Sequence, residues 1–313
     1  PETGRGQIAA PQEQKETPIM STAENPVSMD IRDGIAVLTL DSPPVNALGH
    51  AVRSGLMNAL EKAEGDEGVE AVVIRGGGRC FSGGADIREF GQPPAEPTLR
   101  ELCARIEDFP KIVVAALHST AFGGGLELAL SSHYRAADET AQVALPEVKL
   151  GIVPGSGGTQ RLPRIIGAKR ALKVILSGDP FAAGAAHDLG IIDEIVSGDL
   201  TEGAVAYAKK LVAEGAALRK VRDLAVADAD PEVFAEMRKT WERRSRGLLA
   251  PLACAARLLN AMVLDHGLAD GNVVPLHTEW CRLCRDGCDE ATGAFHRFSA
   301  NGNELQAFLL FPG

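Results

Sequence analysis

The apolar run 112–117 leads within a few residues into three consecutive glycines, Gly123-Gly124-Gly125, and then into a helical pattern whose first turn carries Glu127. A strand that must become a helix across so short a glycine turn leaves few folds open. Glycines let backbone N–H groups approach a ligand with no Cβ in the way. The helix start adds unpaired donors and the positive end of a dipole. Such a place suits an oxygen that gains negative charge during a reaction. A second acid, Glu147, follows Leu145-Pro146, ahead of another glycine turn, Gly155-Ser156-Gly157-Gly158. Two carboxylates beside an anion-stabilising backbone make a candidate acid–base site.

The same order recurs upstream. Residues 35–40 read as a strand stopped by Asp41-Ser42-Pro43-Pro44, and residues 46–64 carry helical periodicity with Leu48, Val52, Leu56, Leu60 and Ala63 near one face. Residues 69–74 read as a second strand, closed by Gly76-Gly77-Gly78 and followed by the turn Phe81-Ser82-Gly83-Gly84-Ala85-Asp86. A helix is expected over 98–108. Strand, glycine turn and helix in repetition fit an α/β layout with crossover connections and parallel pairing. Helices are then predicted over 169–176, 182–189 (with Gly190 as its stop) and 203–214. Residues 1–26, rich in Pro, Glu, Gln, Thr and Ser, are expected to be disordered. Residues 231–249 and 250–264 read as a charged and an apolar helix, and periodicity weakens beyond. The expected organisation is thus 1–26, a core over 27–229, and a helical region over 230–313 with a divergent tail.

Composition narrows the classes of function. A formal net charge of −10 and 4% aromatic residues argue against nonspecific nucleic-acid binding, through phosphate contacts or base stacking. No apolar run approaches the roughly 18–20 residues needed to span a bilayer, and no secretory signal pattern opens the chain. The six cysteines are therefore expected as reduced thiols in a cytoplasmic protein.

Several independent blocks now resemble the crotonase, or enoyl-CoA hydratase/isomerase, superfamily, in that family's order. They are Pro44-Val45-Asn46-Ala47-Leu48, Phe81-Ser82-Gly83-Gly84-Ala85-Asp86-Ile87, Gly123-Gly124-Gly125-Leu126-Glu127, Leu145-Pro146-Glu147 and the segment 151–162. The wording is most similar to the hydratase half of multifunctional fatty-acid β-oxidation enzymes, and residues 243–254 resemble the linker after that half. The resemblance implies a ββα spiral core with a C-terminal helical appendage. It implies an acyl-CoA thioester substrate, no cofactor beyond the coenzyme A carried by that substrate, and a homo-oligomer. The amides of Ala85 and Gly124 would form an oxyanion hole, and Glu127 and Glu147 the acid–base pair. Substrate contacts would come from Ala47, from Ser82, Gly83, Gly84, Ala85, Asp86 and Ile87, from Gly123 and Gly124, and from Pro146 and Gly155. Val143-Ala144 departs from the Gly or Phe-Gly often found there, which bears on the acyl pocket.

The implied activity is hydration of trans-2-enoyl-CoA. An enoyl-CoA isomerase, another crotonase-type reaction, or a non-catalytic scaffold of the same fold are the alternatives. Family members that mainly isomerise often keep only the acid at the position of Glu147, so the presence of both favours hydration. Two other readings are weaker. Gly155-Ser156-Gly157-Gly158 begins like a dinucleotide fingerprint, but the glycine spacing differs and no ribose-binding acid follows in a βαβ unit. His277, Cys281, Cys284 and Cys288 include one C-x-x-C but lack a second spaced pair, so they are read as free thiols without a metal.

Overall fold

The computed structural model describes residues 25–150 and 152–228, together with Glu232 and Glu236. The expectations for residues 1–24, for the helical region and linker beyond 230, and for the His277–Cys288 cluster lie outside the described residues. Asn25 and Pro26, expected to be disordered, belong to the fold: the Pro26 carbonyl accepts the Asp41 N–H at 2.8 Å.

A six-stranded sheet carries the molecule. Its strands are β1 (Val27–Arg32), β2 (Ile35–Leu40), β3 (Ala71–Gly76), β4 (Ile112–Leu117), β6 (Tyr134–Asp138) and β9 (Glu194–Val196), adjacent in that order. β1 pairs antiparallel with β2 across the Asp33-Gly34 turn; every later pairing in this sheet is parallel. A smaller sheet holds β5 (Thr120–Phe122), β7 (Gln142–Ala144) and β8 (Phe181–Ala182) in the order β5-β7-β8. Ser82 extends it with a parallel bridge to Ala121. The chain therefore leaves the large sheet three times for the small one, from β3 to Ser82, from β4 to β5 and from β6 to β7. Each departure is followed by helical structure, which gives the expected ββα repeat.

Alternation along the strands decides what packs where. Ala36, Leu38, Val72, Ile74, Val113 and Ala115 face the main core, with α1 (His50–Gly65) and α2 (Leu99–Glu107). Ile35, Val37, Val73 and Val114 face the other way, onto Leu200, Ala204, Ala208 and Leu211 of α7 (Leu200–Ala213). Both faces are covered, as a parallel sheet requires. No helix among the described residues is long and apolar enough to cross a membrane.

Several boundaries differ from the sequence reading, each for a local reason. α1 starts at His50 rather than at residue 46, because Asn46 sits at φ 50° and spends its side chain on the loop below it. α7 starts at Leu200, capped by Asp199 accepting the Glu202 N–H at 3.0 Å. Gly203, read as a helix start, lies inside it, at a place where a Cβ would stand 2.2 Å from Val196 Cγ1. α2 begins as expected: Thr98 and Glu101 form a reciprocal capping box. β1, β5, β6, β7, β8 and β9 were not predicted, being short or broken by polar residues such as the fully buried Arg135.

Candidate active site

The site is built where the small sheet meets the start of α3 (Gly124–Ser131). Gly123 precedes that helix at φ 51°, ψ −124°, a conformation only glycine adopts easily, and its N–H is anchored on the Ala144 carbonyl at 2.9 Å. A Cβ at Gly124 would stand 2.6 Å from Leu99 Cδ2 and 3.1 Å from the Ala85 nitrogen. At Gly84, φ 109°, an added Cβ would stand 2.8 Å from the Phe122 carbonyl and 3.3 Å from the Gly124 nitrogen. The Ala85 and Gly124 amides are thus brought together by backbones that touch where side chains are missing. Among the described residues, neither amide donates a hydrogen bond within the chain.

The loop beside them is held internally. Ser82 is fully buried; its hydroxyl donates to the Asn46 carbonyl at 2.7 Å and accepts the Gly84 N–H at 3.1 Å. Gly83 N–H donates to the Val45 carbonyl at 2.7 Å, and Leu48 N–H to the Gly84 carbonyl at 2.8 Å. The half-buried Ala47 is in this way tied to the loop that carries Ala85. Asn46, which motif reading left without a role, donates through Nδ2 to the carbonyls of Gly77 at 2.9 Å and Cys80 at 2.8 Å and accepts the Ser42 N–H at 2.9 Å.

Asp86 caps the short 3₁₀ turn Ile87–Glu89, and its carboxylate is occupied by the Arg88 amide and guanidinium, which hold it below the usual carboxylate range. Its polar atoms are spent on the loop. Ile87, by contrast, is 71% exposed and offers apolar surface beside the site. Pro146 is half-buried at the start of the 3₁₀ segment Pro146–Leu150, and Gly155 is exposed, with open space where a Cβ would go. Val143 and Ala144 are fully buried in β7, so the departure there is felt at the seat of Gly123.

The two acids are both buried but differently partnered. Glu127, in the first turn of α3, is 2% exposed, and its Oε1 accepts the Ser156 N–H at 2.7 Å and the Gly158 N–H at 2.8 Å. Desolvation raises its pKa; the two amides and the Arg161 cation pull back toward the ionised form. Glu147 is 9% exposed and lies against Gly123, a Cβ on which would stand 3.1 Å from Glu147 Oε1. Burial, with the negative charge of Glu127 added, pushes its pKa up to about 8. Its Oε2 is buried without a hydrogen-bond partner among the described residues. The turn Gly155-Ser156-Gly157-Gly158 thus gives its amides to a carboxylate of this chain, not to a nucleotide phosphate.

Chemically, the arrangement offers two free amide donors, a carboxylate held by fixed donors, and a second carboxyl that keeps its proton near neutral pH. Among the described residues no group of three or more His, Cys, Asp or Glu side chains could hold a metal ion. Cys80 and Cys103 are buried free thiols.

Comparison with known proteins gives the family and the fold. Residues 30–243 match the enoyl-CoA hydratase/isomerase family. The peroxisomal bifunctional enzyme of Danio rerio is 43% identical over 227 residues, covering 72% of this chain but 32% of that protein. The probable enoyl-CoA hydratase of Bacillus subtilis (strain 168) is 45% identical over 175 residues, covering 54% of this chain and 68% of that protein. The chain spans about a third of the bifunctional relative and about two thirds of the bacterial one. Among solved structures, enoyl-CoA hydratase from Bacillus anthracis superposes with a TM-score of 0.56 at 26% identity, over 82% of this chain and 97% of that one. Carnitinyl-CoA hydratase from Mycobacterium avium gives 0.56 at 31% identity, over 74% and 96%. The fold is the crotonase-type ββα spiral, and the chain belongs to the enoyl-CoA hydratase/isomerase family.

Proposed function

We propose that this protein adds water across the C2=C3 bond of a trans-2-enoyl-CoA to give the 3-hydroxyacyl-CoA, in fatty-acid β-oxidation. The observation that carries the reading is the pairing of two buried, unequally held glutamates with two free amides. As water attacks C3, the thioester oxygen gathers enolate charge, and the Ala85 and Gly124 amides are placed to hold it. Glu127, its Oε1 fixed by two amides, presents its other oxygen to the water and takes the proton. Glu147, protonated at neutral pH, gives its proton to C2. H and OH are added in sum, and a proton returns from Glu127 to Glu147 to reset the site. No cofactor enters beyond the coenzyme A of the substrate.

Hydration is chosen over isomerisation because Glu127 is built in at the cost of a buried carboxylate; moving a proton from C4 to C2 needs one acid–base group. Coenzyme A would lie along Ala47, Ser82 to Ala85 and Gly124, bound mainly through main-chain groups, with the apolar face of Ile87 beside it. The buried free thiols suit a reducing compartment such as the cytoplasm, whereas the names of the animal and plant relatives place those proteins in peroxisomes or glyoxysomes. A homo-oligomer is part of the same reading, and light scattering that returns the monomer mass of 32.9 kDa would reject it. The test of function is the enoyl-thioester absorbance of crotonyl-CoA. Its loss with formation of 3-hydroxybutyryl-CoA is expected; an unchanged band would refute hydration and favour the scaffold.

A further inference from the structure

Two buried charges lie outside the chemistry above. Arg161, on α4 (Gly158–Ile166), pairs through Nη2 with Oε2 of Glu107, the last residue of α2, at 2.8 Å. Both side chains are almost fully buried. Stability alone is a weak reason for such a pair, because desolvating two charges offsets most of their attraction. The remaining hydrogen bonds point toward the site. Arg161 Nη1 donates to the Ser156 carbonyl at 3.0 Å. Ser156 is the residue whose N–H donates to Glu127 Oε1, with the Gly158 N–H alongside. Between them Gly157 sits at φ 109°, and a Cβ there would stand 2.1 Å from Arg161 Nη1, so the turn is shaped around the guanidinium. Glu107 is held from its other side, its Oε1 accepting the Arg222 N–H at 2.9 Å.

We infer that Arg161, anchored by Glu107, is a positioning residue for Glu127: through the Ser156 carbonyl it fixes the turn whose two amides hold that carboxylate. The inference rests on the reading of Glu127 as the group that activates water. Charge acts in the same sense. The groups facing Glu127 are Arg161 from α4, Glu147 from the 3₁₀ segment Pro146–Leu150, and Cys103 from α2. Burial pushes the Cys103 thiol up to about 12, so it stays neutral, and Glu147 is the protonated partner. Among the described residues, Arg161 is therefore the cation that favours ionised Glu127. A lysine has one nitrogen where bonds in two directions are required.

The test joins two measurements on the full chain: crotonyl-CoA kinetics, and the carboxyl ¹³C titration of Glu127, assigned through Glu127→Gln. In Arg161→Met, the Glu127 titration should move to higher pH and kcat should fall by up to about 10²-fold, the scale of a small misplacement of a reacting group. KM should change little. In Arg161→Lys, the titration should stay nearer to wild type while kcat still falls, since the charge is kept and the clamp is lost. A folded Arg161→Met protein with wild-type kcat and an unmoved titration would overturn the inference. Should Arg161→Met fail to fold, wild-type kcat in Arg161→Lys overturns it instead. A wild type that leaves crotonyl-CoA untouched refutes the hydratase reading, while the titration still decides whether Arg161 governs Glu127.

Discussion

Glu127 and Glu147 are unequal partners: Oε1 of Glu127 accepts two loop amides, whereas Oε2 of Glu147 is buried with no hydrogen-bond partner among the described residues. The inequality separates the two acids. Burial raises the pKa of both, but the two amides and Arg161 pull Glu127 back toward its ionised form, whereas the charge of Glu127 pushes Glu147 further up. Activity should therefore fall as pH rises through about 8, where Glu147 loses the proton it must give. A kcat profile for hydration measured from pH 6 to 10 checks this, and a flat profile through pH 9 would contradict it.

The same shift has a consequence for stability. An unfolded glutamate titrates near pH 4.3, roughly its free value, but the folded Glu147 keeps its proton up to about 8. Between those values the unfolded chain binds fewer protons, so this residue's contribution to stability is complete at low pH and is lost as pH climbs toward 8. Glu147→Gln removes the titration. The variant should gain on wild type from pH 5 to pH 8 by on the order of a few kcal/mol. Urea unfolding of both proteins at the two pH values measures the difference; equal differences at both would count against a buried, neutral Glu147.

Gly124→Ala tests the oxyanion hole. The new Cβ would press on Leu99 Cδ2 at 2.6 Å and on the Ala85 nitrogen at 3.1 Å, moving both donors apart. Loss of one such donor typically costs about 10²–10³ in kcat, and a fall of that size is expected with melting temperature only modestly lowered. Wild-type kcat in a folded variant would show that the two amides do not act on the thioester oxygen.

What could be read from the sequence follows from how local each signal is. The runs 35–40 and 112–117 declared themselves as strands because they are apolar on both faces, as a covered parallel sheet demands. Tyr134–Asp138 did not, because Tyr134, Arg135 and Asp138 leave only two apolar residues between them, and Arg135 finds its partners in Ser132, Ile191 and Asp193 only after folding. Glu127 and Glu147 were legible through the motifs around them. Their inequality was not, since it depends on amides 29 and 31 positions away. The pairing of Glu107 with Arg161, 54 positions apart and buried, was not legible either, being a property of the packed α2–α4 contact.

Asn46 is a further case of a role hidden from sequence. It sits at φ 50° and ties Ser42, Gly77 and Cys80 together. Alanine there leaves the amide and two carbonyls without partners and keeps the left-handed strain. Asn46→Ala should destabilise by roughly 3 kcal/mol, the scale of a few buried polar groups left unpaired. Denaturant unfolding gives the value, and a loss under about 0.5 kcal/mol, the range of ordinary surface changes, would mean the loop is held by other contacts.

The sharing of work between the two acids is tested by their glutamine variants. Glutamine keeps size and polarity and removes the ionisable group, so the Ser156 and Gly158 amides still find an oxygen in Glu127→Gln. Each single change should lower kcat by on the order of 10²–10⁴, the span of one positioned acid or base. If Glu127 activates the water and Glu147 supplies the proton in one addition, as proposed, the double variant should cost far less than the product of the singles. Removing the Glu127 charge should also lower the Glu147 pKa, since that charge is part of what raises it. Binding of a saturated acyl-CoA, measured by calorimetry, should barely change in any of the three if coenzyme A is held, as proposed, by main-chain groups of the loops. Full hydratase activity in either single variant would remove that residue from the mechanism. A double variant as poor as the product of the singles would mean that the two acids act in separate steps.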